Sequence, residues 1–260
     1  MPRARVVLVH GLRTSATMWR RQLSTLARHD IEAVAVDLPG HGTRLDEFFT
    51  IDDAMQVIGD ALPSTAAEHS GAHHVPTLLV GLSLGGYLTI EFAARHPGRV
   101  DGLVAASCGI RPRGVGLAGY RRIAAAIAHL PDRGRALNDF VARLFLPADG
   151  AEDVIAGGVG LDAMAPVLGT IGGLDTEGAL ASIDVPIWFV NGRLDHFRIE
   201  ERRLLRAAQR GRLVHIPGAT HLVSLVRPEE FTAVVLGAVA ELELETARAR
   251  RPRRIGAPGT

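Results

Sequence analysis

Short apolar runs and longer stretches of helical periodicity alternate along the chain. Segments 5–9, 33–37, 76–80, 100–107, 186–191 and 212–216 are rich in Val, Ile, Leu and Ala, and most are continuously apolar. Strands covered on both faces read this way, because neither side of the pleat meets water. Between them, segments 17–28, 51–67, 84–95, 200–210 and 228–244 place apolar residues at helical spacing. The alternation requires crossover connections, so it predicts an α/β chain with a mostly parallel sheet and helices on both faces.

Segment 111–183 breaks the rhythm. It contains no convincing strand, only Ala- and Leu-rich helical pieces at 119–130, 134–146 and 161–168. At about seventy residues it far exceeds an ordinary connection, and it reads as a helical insertion lying over the sheet. The expected organisation is a core formed by 1–110 and 184–246, an insertion at 111–183, and a flexible tail at 247–260. That tail carries Arg248, Arg250, Arg251, Arg253 and Arg254 and reads as a solvated terminus.

Composition narrows the partners. In 260 residues, 29 basic side chains, all Arg, meet 28 acidic ones for a formal net charge of +1. A nucleic-acid binder would carry a dominant basic face, so none is expected as a partner. The single cysteine, Cys108, leaves no internal disulfide and fits a reducing compartment. No run approaches the roughly 18 consecutive apolar residues of a membrane span, and the first run, Val6 to Val9, is too short for the core of a secretion signal. A soluble, cytoplasmic protein with no membrane partner is expected, as a monomer or homodimer.

The chemistry is concentrated at strand ends. In Val80-Gly81-Leu82-Ser83-Leu84-Gly85-Gly86, an apolar run ends in Gly-x-Ser-x-Gly and a helical pattern follows. A structural turn is the plain reading of those five residues alone. The strand before and the helix after favour a nucleophile elbow, which lifts a serine hydroxyl clear of the sheet. A serine needs a base, and the base needs a group that orients it. Eleven histidines compete. His221, in Ile216-Pro-Gly-Ala-Thr-His221, follows the last apolar run, and Asp195, in Asn191-Gly-Arg-Leu-Asp195, follows the preceding one. Loops at the carboxyl ends of parallel strands are where this architecture builds its sites, and the order Ser83, Asp195, His221 is that of α/β-hydrolase triads. The backbone N–H groups of Leu84 and, by position, Leu12 are expected to form the oxyanion hole. The His10 ring is expected to brace its loop by hydrogen bonds rather than to act as a second base.

Further motifs complete a resemblance. His10-Gly11 with Trp19 looks like an HG…W oxyanion-loop opening, and Asp37-Leu-Pro-Gly-His-Gly42 is similar to a D-x-P-G-x-G turn. Pro217 to Phe231 looks like a histidine loop and final helix. As an ordered set over residues 5 to 245, they resemble the α/β-hydrolase superfamily, and within it the small capped serine esterases. The resemblance implies an eight-stranded sheet, but the first run leads straight into the oxyanion loop. About six strands are therefore expected, without the opening antiparallel hairpin. The insertion falls where the family carries its cap.

The function implied is a serine hydrolase cleaving carboxylic esters of small to medium apolar substrates through an acyl-enzyme on Ser83. Lactone, thioester or C–C hydrolysis on the same triad, a lyase, and a ligand receptor are the alternatives. No metal or organic cofactor is required. Arg13, Trp19, Leu144 and Val223 are candidate substrate contacts, and Leu117, Ile123, Ile127, Phe145, Val154, Met164 and Leu168 are candidate apolar walls. Bland readings are preferred elsewhere. His69, His73 and His74 form a surface loop rather than a metal site, Gly114, Gly116 and Gly119 lack the strand of a phosphate loop, His41 is structural, and Asp52 and Asp53 open a helix.

Overall fold

A computed structural model describes residues 2–63, 74–111, 114–158 and 160–250. The described strands are β1 (Ala4–Val9), β2 (Ile31–Val36), β3 (Thr77–Leu82), β4 (Gly102–Ala106), β5 (Ile187–Gly192) and β6 (Gly211–Ile216). They form one sheet in the order β2-β1-β3-β4-β5-β6, and every pairing is parallel. The expected six-stranded parallel sheet is thus present, with no antiparallel hairpin ahead of β1 among the described residues.

The continuously apolar runs have the predicted cause. Along β1, Val7 and Val9 pack into one hydrophobic cluster, while Ala4, Val6 and Leu8 pack into another on the opposite face. The first cluster includes Ile58 of α2 (Ile51–Asp60), Leu88 and Phe92 of α3 (Leu84–Arg95), Leu180 and Leu204. The second includes Leu26 of α1 (Arg20–Arg28), and Phe231, Val235 and Val239 of the long C-terminal helix Pro228–Ala249. Edge strands β2 and β6 are only half-buried, whereas β3, β4 and β5 are buried throughout. Helix α2 starts where expected: the Thr50 hydroxyl accepts the Asp53 N–H at 3.1 Å, and Asp52 and Asp53 lie in its first turn, where negative charge complements the dipole.

Among the described residues, five helices run between β4 and β5, α4 (Gly114–Ala128), α5 (Arg135–Phe145), α6 (Ala148–Ala156), α7 (Met164–Ile171) and α8 (Thr176–Ser182). They are followed by α9 (Glu201–Ala207), α10 (Val223–Val226) and α11 (Pro228–Ala249). Helix α5 is turned against its composition: Asn138 and Ala142 are buried, while Phe140, Leu144 and Phe145 are 60–68% exposed. Residues 64–67 of the second helical segment, His69, His73, residues 112–113 and the tail beyond Arg250 lie outside the described residues. His74 pairs with Asp101 at 2.8 Å. Among the described residues, no group of three or more His, Cys, Asp or Glu side chains is placed to hold a metal ion, and no helix is long and apolar enough to cross a membrane.

Candidate active site

Strand order reverses between β1 and β3, because β1 leads outward to β2 while β3 leads the other way to β4. The carboxyl ends of those two strands open a crevice between the loops that follow them. Ser83 follows β3 and the loop His10 to Thr14 follows β1, so both face that crevice.

Ser83 sits at φ 56° and ψ −111°, a conformation that side chains rarely adopt and that is held only where the surroundings enforce it. The enforcement is the proximity of three backbone segments. A Cβ at Gly81 would lie 2.2 Å from the Gly85 carbonyl oxygen, and one at Gly85 would lie 2.2 Å from that of Val9. The two glycines let α3 press against β1 and β3, and the turn between them projects the serine.

The three residues picked out at strand ends are brought together. The Ser83 hydroxyl donates to His221 Nε2 at 3.0 Å, and His221 Nδ1 lies 3.1 and 3.2 Å from the Asp195 carboxylate oxygens. A carboxylate can only accept, so Nδ1 carries the hydrogen and Nε2 is free to accept the serine proton. Burial opposes the charge of Asp195, but the His221 ring and the Phe197 N–H at 2.8 Å outweigh it, and its carboxyl lies below the ordinary aspartate value. The acid and histidine loops are laced together: Arg193 N–H reaches the Ile216 carbonyl at 3.0 Å and Leu194 N–H the Ala219 carbonyl at 2.9 Å.

The oxyanion loop is braced from below. Leu38 N–H donates to His10 Nε2 at 3.0 Å, which leaves Nδ1 to donate to the Gly11 carbonyl at 2.8 Å. Burial, with the neighbouring His41 ring at 4.9 Å, pushes His10 down to about 3, so the ring is neutral with its hydrogen on Nδ1. Asp37 joins the same support, accepting from Ala16 N–H at 2.7 Å and from the N–H and hydroxyl of Thr43 at 2.9 and 2.8 Å. Leu12 and Leu84 both border the cavity at Ser83. Among the described residues, no acceptor takes either N–H, as expected for the first residue of a helix in the case of Leu84.

Above these groups lies a cavity of about 570 Å³, a size suited to a small-molecule ligand. Its floor is Ser83, His221 and the oxyanion loop, and its other walls include Leu117, Phe145, Val154 and Leu168 from the helices between β4 and β5. Arg13 also lines it.

Three of the candidate contacts do not reach the cavity. Trp19 is fully buried on the other face of the sheet, its ring 5.8 Å from Phe231, where it packs the entry to α1 against α11. Val223 is fully buried in that same cluster; its neighbours Thr220 and Leu222 line the cavity instead. Leu144 is 60% exposed, because it lies about 200° around α5 from inward-facing Ala142 at ~100° per residue. Ile123 is likewise exposed, and Met164 is buried in the core rather than at the cavity wall.

Three contributors went unnoticed in the sequence. Ser107, one residue past β4 at φ 52°, donates its hydroxyl to the His221 carbonyl at 2.6 Å and borders the cavity. Its position at a strand end is the signal that could have singled it out. The His196 and Phe197 rings lie 6.0 and 4.7 Å from His221, and adjacency to Asp195 was their only cue.

The model of the Alpha/beta hydrolase family matches residues 6–234, and the chain belongs to that family. A pimeloyl-[acyl-carrier protein] methyl ester esterase of Yersinia enterocolitica is 26% identical over 255 residues, covering 89% of this chain and 91% of that protein. Other curated relatives match over a fifth to just over a third of their own length; an AB hydrolase superfamily protein of Gibberella zeae is 30% identical over 100 residues, 38% of this chain and 33% of that protein. Among solved structures, a thermophilic esterase from Thermogutta terrifontis shares the fold with a TM-score of 0.72 at 22% identity, over 93% of this chain and 91% of that one.

Proposed function

We propose that the protein is a serine esterase working through an acyl-enzyme on Ser83. The observation that carries this reading is the continuous relay from Ser83 Oγ to His221 Nε2 and from His221 Nδ1 to Asp195, set at the floor of a largely apolar cavity. Ser83 Oγ attacks the ester carbonyl as His221 takes its proton. The N–H groups of Leu12 and Leu84 receive the oxyanion, and each such donor typically contributes ~10²–10³ in rate. His221 then returns the proton to the departing alcohol, activates a water, and the acid leaves Ser83. Asp195 holds the imidazole in the required tautomer and stabilises the imidazolium.

Segment 111–183 is the cap that roofs the cavity and selects small to medium substrates, and the tail beyond 246 takes no part. The preference for esters is supported by the esterase named among the relatives. The enzyme would work in the cytoplasm, as a monomer or homodimer, on a small molecule and without a metal or organic cofactor.

The test is hydrolysis of p-nitrophenyl esters across a range of acyl chain lengths, with Ser83→Ala in parallel. Turnover by the wild type and none by the variant is expected, with a chain-length optimum set by the cavity. Equal turnover by both proteins would overturn the reading.

A further inference from the structure

The cavity carries an unmet positive charge. Leu12, Leu168 and the other apolar side chains form most of its wall, and no Asp or Glu side chain borders it among the described residues. Two arginines do. Arg111 is neutralised: its Nε donates to Glu200 at 2.7 Å, its Nη2 lies 2.5 Å from the same carboxylate, and Glu177 is 3.7 Å away. Arg13 has no such company. Its Nε is buried without an acceptor, and no described carboxylate lies within ion-pair distance of its guanidinium. A guanidinium can donate but never accept, and it stays charged in any protein environment. Arg13 is half-buried, and leaving its enclosed Nε without an acceptor is costly, so the arrangement is complete only when an anion enters.

The backbone sharpens the point. Arg13 is the third residue of the turn Gly11 to Thr14, closed by a Thr14 N–H to Gly11 carbonyl bond of 3.4 Å, and its φ is 64°. Glycine or asparagine is the usual occupant of that position. An arginine there accepts backbone strain and projects a long cationic side chain into the cavity beside the oxyanion loop. A second unmet donor comes from the roof: the Asn138 side-chain amide, buried on the inward face of α5, also borders the cavity and finds no acceptor for Nδ2.

We propose that Arg13 receives a carboxylate carried by the substrate, so that the protein takes esters bearing a second, ionised carboxyl group. The proposal builds on the esterase reading and names its substrate class. The two oxyanion donors take the reacting carbonyl, while the fork of Arg13 takes the carboxylate through two parallel hydrogen bonds. Arg13 follows Leu12 directly and carries its guanidinium at the end of a three-methylene stem, so a carboxylate on it and a carbonyl at the oxyanion hole can belong to one short molecule, separated by a few methylenes. Monoesters of short dicarboxylic acids have that shape, with their methylenes against the apolar wall.

The test separates binding from turnover. Folded Ser83→Ala protein, which cannot be acylated, is titrated calorimetrically with the monomethyl and the dimethyl esters of succinic, glutaric and adipic acids. At least one monoanion is expected to bind about 10- to 100-fold more tightly than its neutral diester, as a charge-assisted pair at a half-buried guanidinium should. That ratio should fall towards one in Ser83→Ala/Arg13→Gln and be partly kept with Arg13→Lys. Should Arg13→Gln not fold, the Arg13→Lys ratio and the loss of the monoanion's advantage at high salt carry the decision. Equal affinities, a preference that survives Arg13→Gln, or no monoanion binding at millimolar concentration overturns the proposal. Ester hydrolysis that does not depend on Ser83, alongside an intact binding preference, would instead overturn the esterase reading alone.

Discussion

Protonation of His10 should unfasten the oxyanion loop and destabilise the protein together. The ring accepts from Leu38 N–H through Nε2 and donates to the Gly11 carbonyl through Nδ1. A proton added to Nε2 would point at the Leu38 N–H, so both the hydrogen bond and the buried position oppose it. Burial and His41 accordingly push His10 down to about 3, and burial lowers His41 as well. In the unfolded chain both rings titrate near the ordinary value of ~6.5. Below that pH the unfolded state holds protons that the folded state refuses, so stability falls as pH falls. Each refused proton costs about 1.4 kcal/mol per pH unit. Between pH ~6.5 and ~5, His10 alone should remove about 2 kcal/mol, a sizeable part of a typical ~5–15 kcal/mol stability. Asp37 and Asp195, both lowered, contribute in the opposite part of the scale: their stabilisation is complete above ~3.8 and is lost as pH falls below it. Urea unfolding across the upper window measures the histidine contribution. His10→Gln, which cannot titrate, should show a slope smaller by about 1.4 kcal/mol per pH unit. An unchanged slope in the folded variant would refute the reasoning. So would nitrogen NMR that finds His10 protonated at pH 5, or carrying its hydrogen on Nε2.

Ser83→Ala should leave the melting temperature nearly unchanged while turnover falls at least about 10⁴-fold. Ser83→Gly should abolish turnover too, yet raise stability by roughly 1 kcal/mol in urea titration, because relief of the φ 56° strain exceeds glycine's entropic cost; a loss of stability would mean the elbow is not strained. Asp195→Asn should lower kcat by about 10⁴ with KM little changed, since Nδ1 loses its anionic acceptor, and steady-state kinetics on a p-nitrophenyl ester reads this directly. Gly85→Ala should cost at least about 3 kcal/mol or prevent soluble expression, because its Cβ would meet the Val9 carbonyl oxygen at 2.2 Å.

Much of this molecule is legible in the one-dimensional pattern. Continuous apolar runs announced strands buried on both faces, and their alternation with helical periods announced a parallel sheet, because a parallel connection needs a crossover. Ser83, Asp195 and His221 could be picked out because each stands just past a strand end, where neighbouring loops must share the same crevice. Backbone demands are legible too. Gly81 and Gly85 mark the close approach of three segments, a requirement that the residue type itself records.

What the chain alone did not determine is which way a side chain faces once its element is packed. Trp19 lies close in sequence to the oxyanion loop, but the turn of helix at Ala16–Trp19 rotates it to the far side of the sheet. Leu144 shares α5 with residues that touch the cavity, and the rotation of that helix sends it to solvent while Asn138 turns inward. Ser107 and the unpaired charge of Arg13 acquire meaning only when β4, the histidine loop and the roof helices enclose one space. Periodicity and strand ends are properties of local sequence. A helix's rotation, and the presence or absence of a counter-ion across a cavity, depend on residues a hundred positions away, and only the folded chain brings those together.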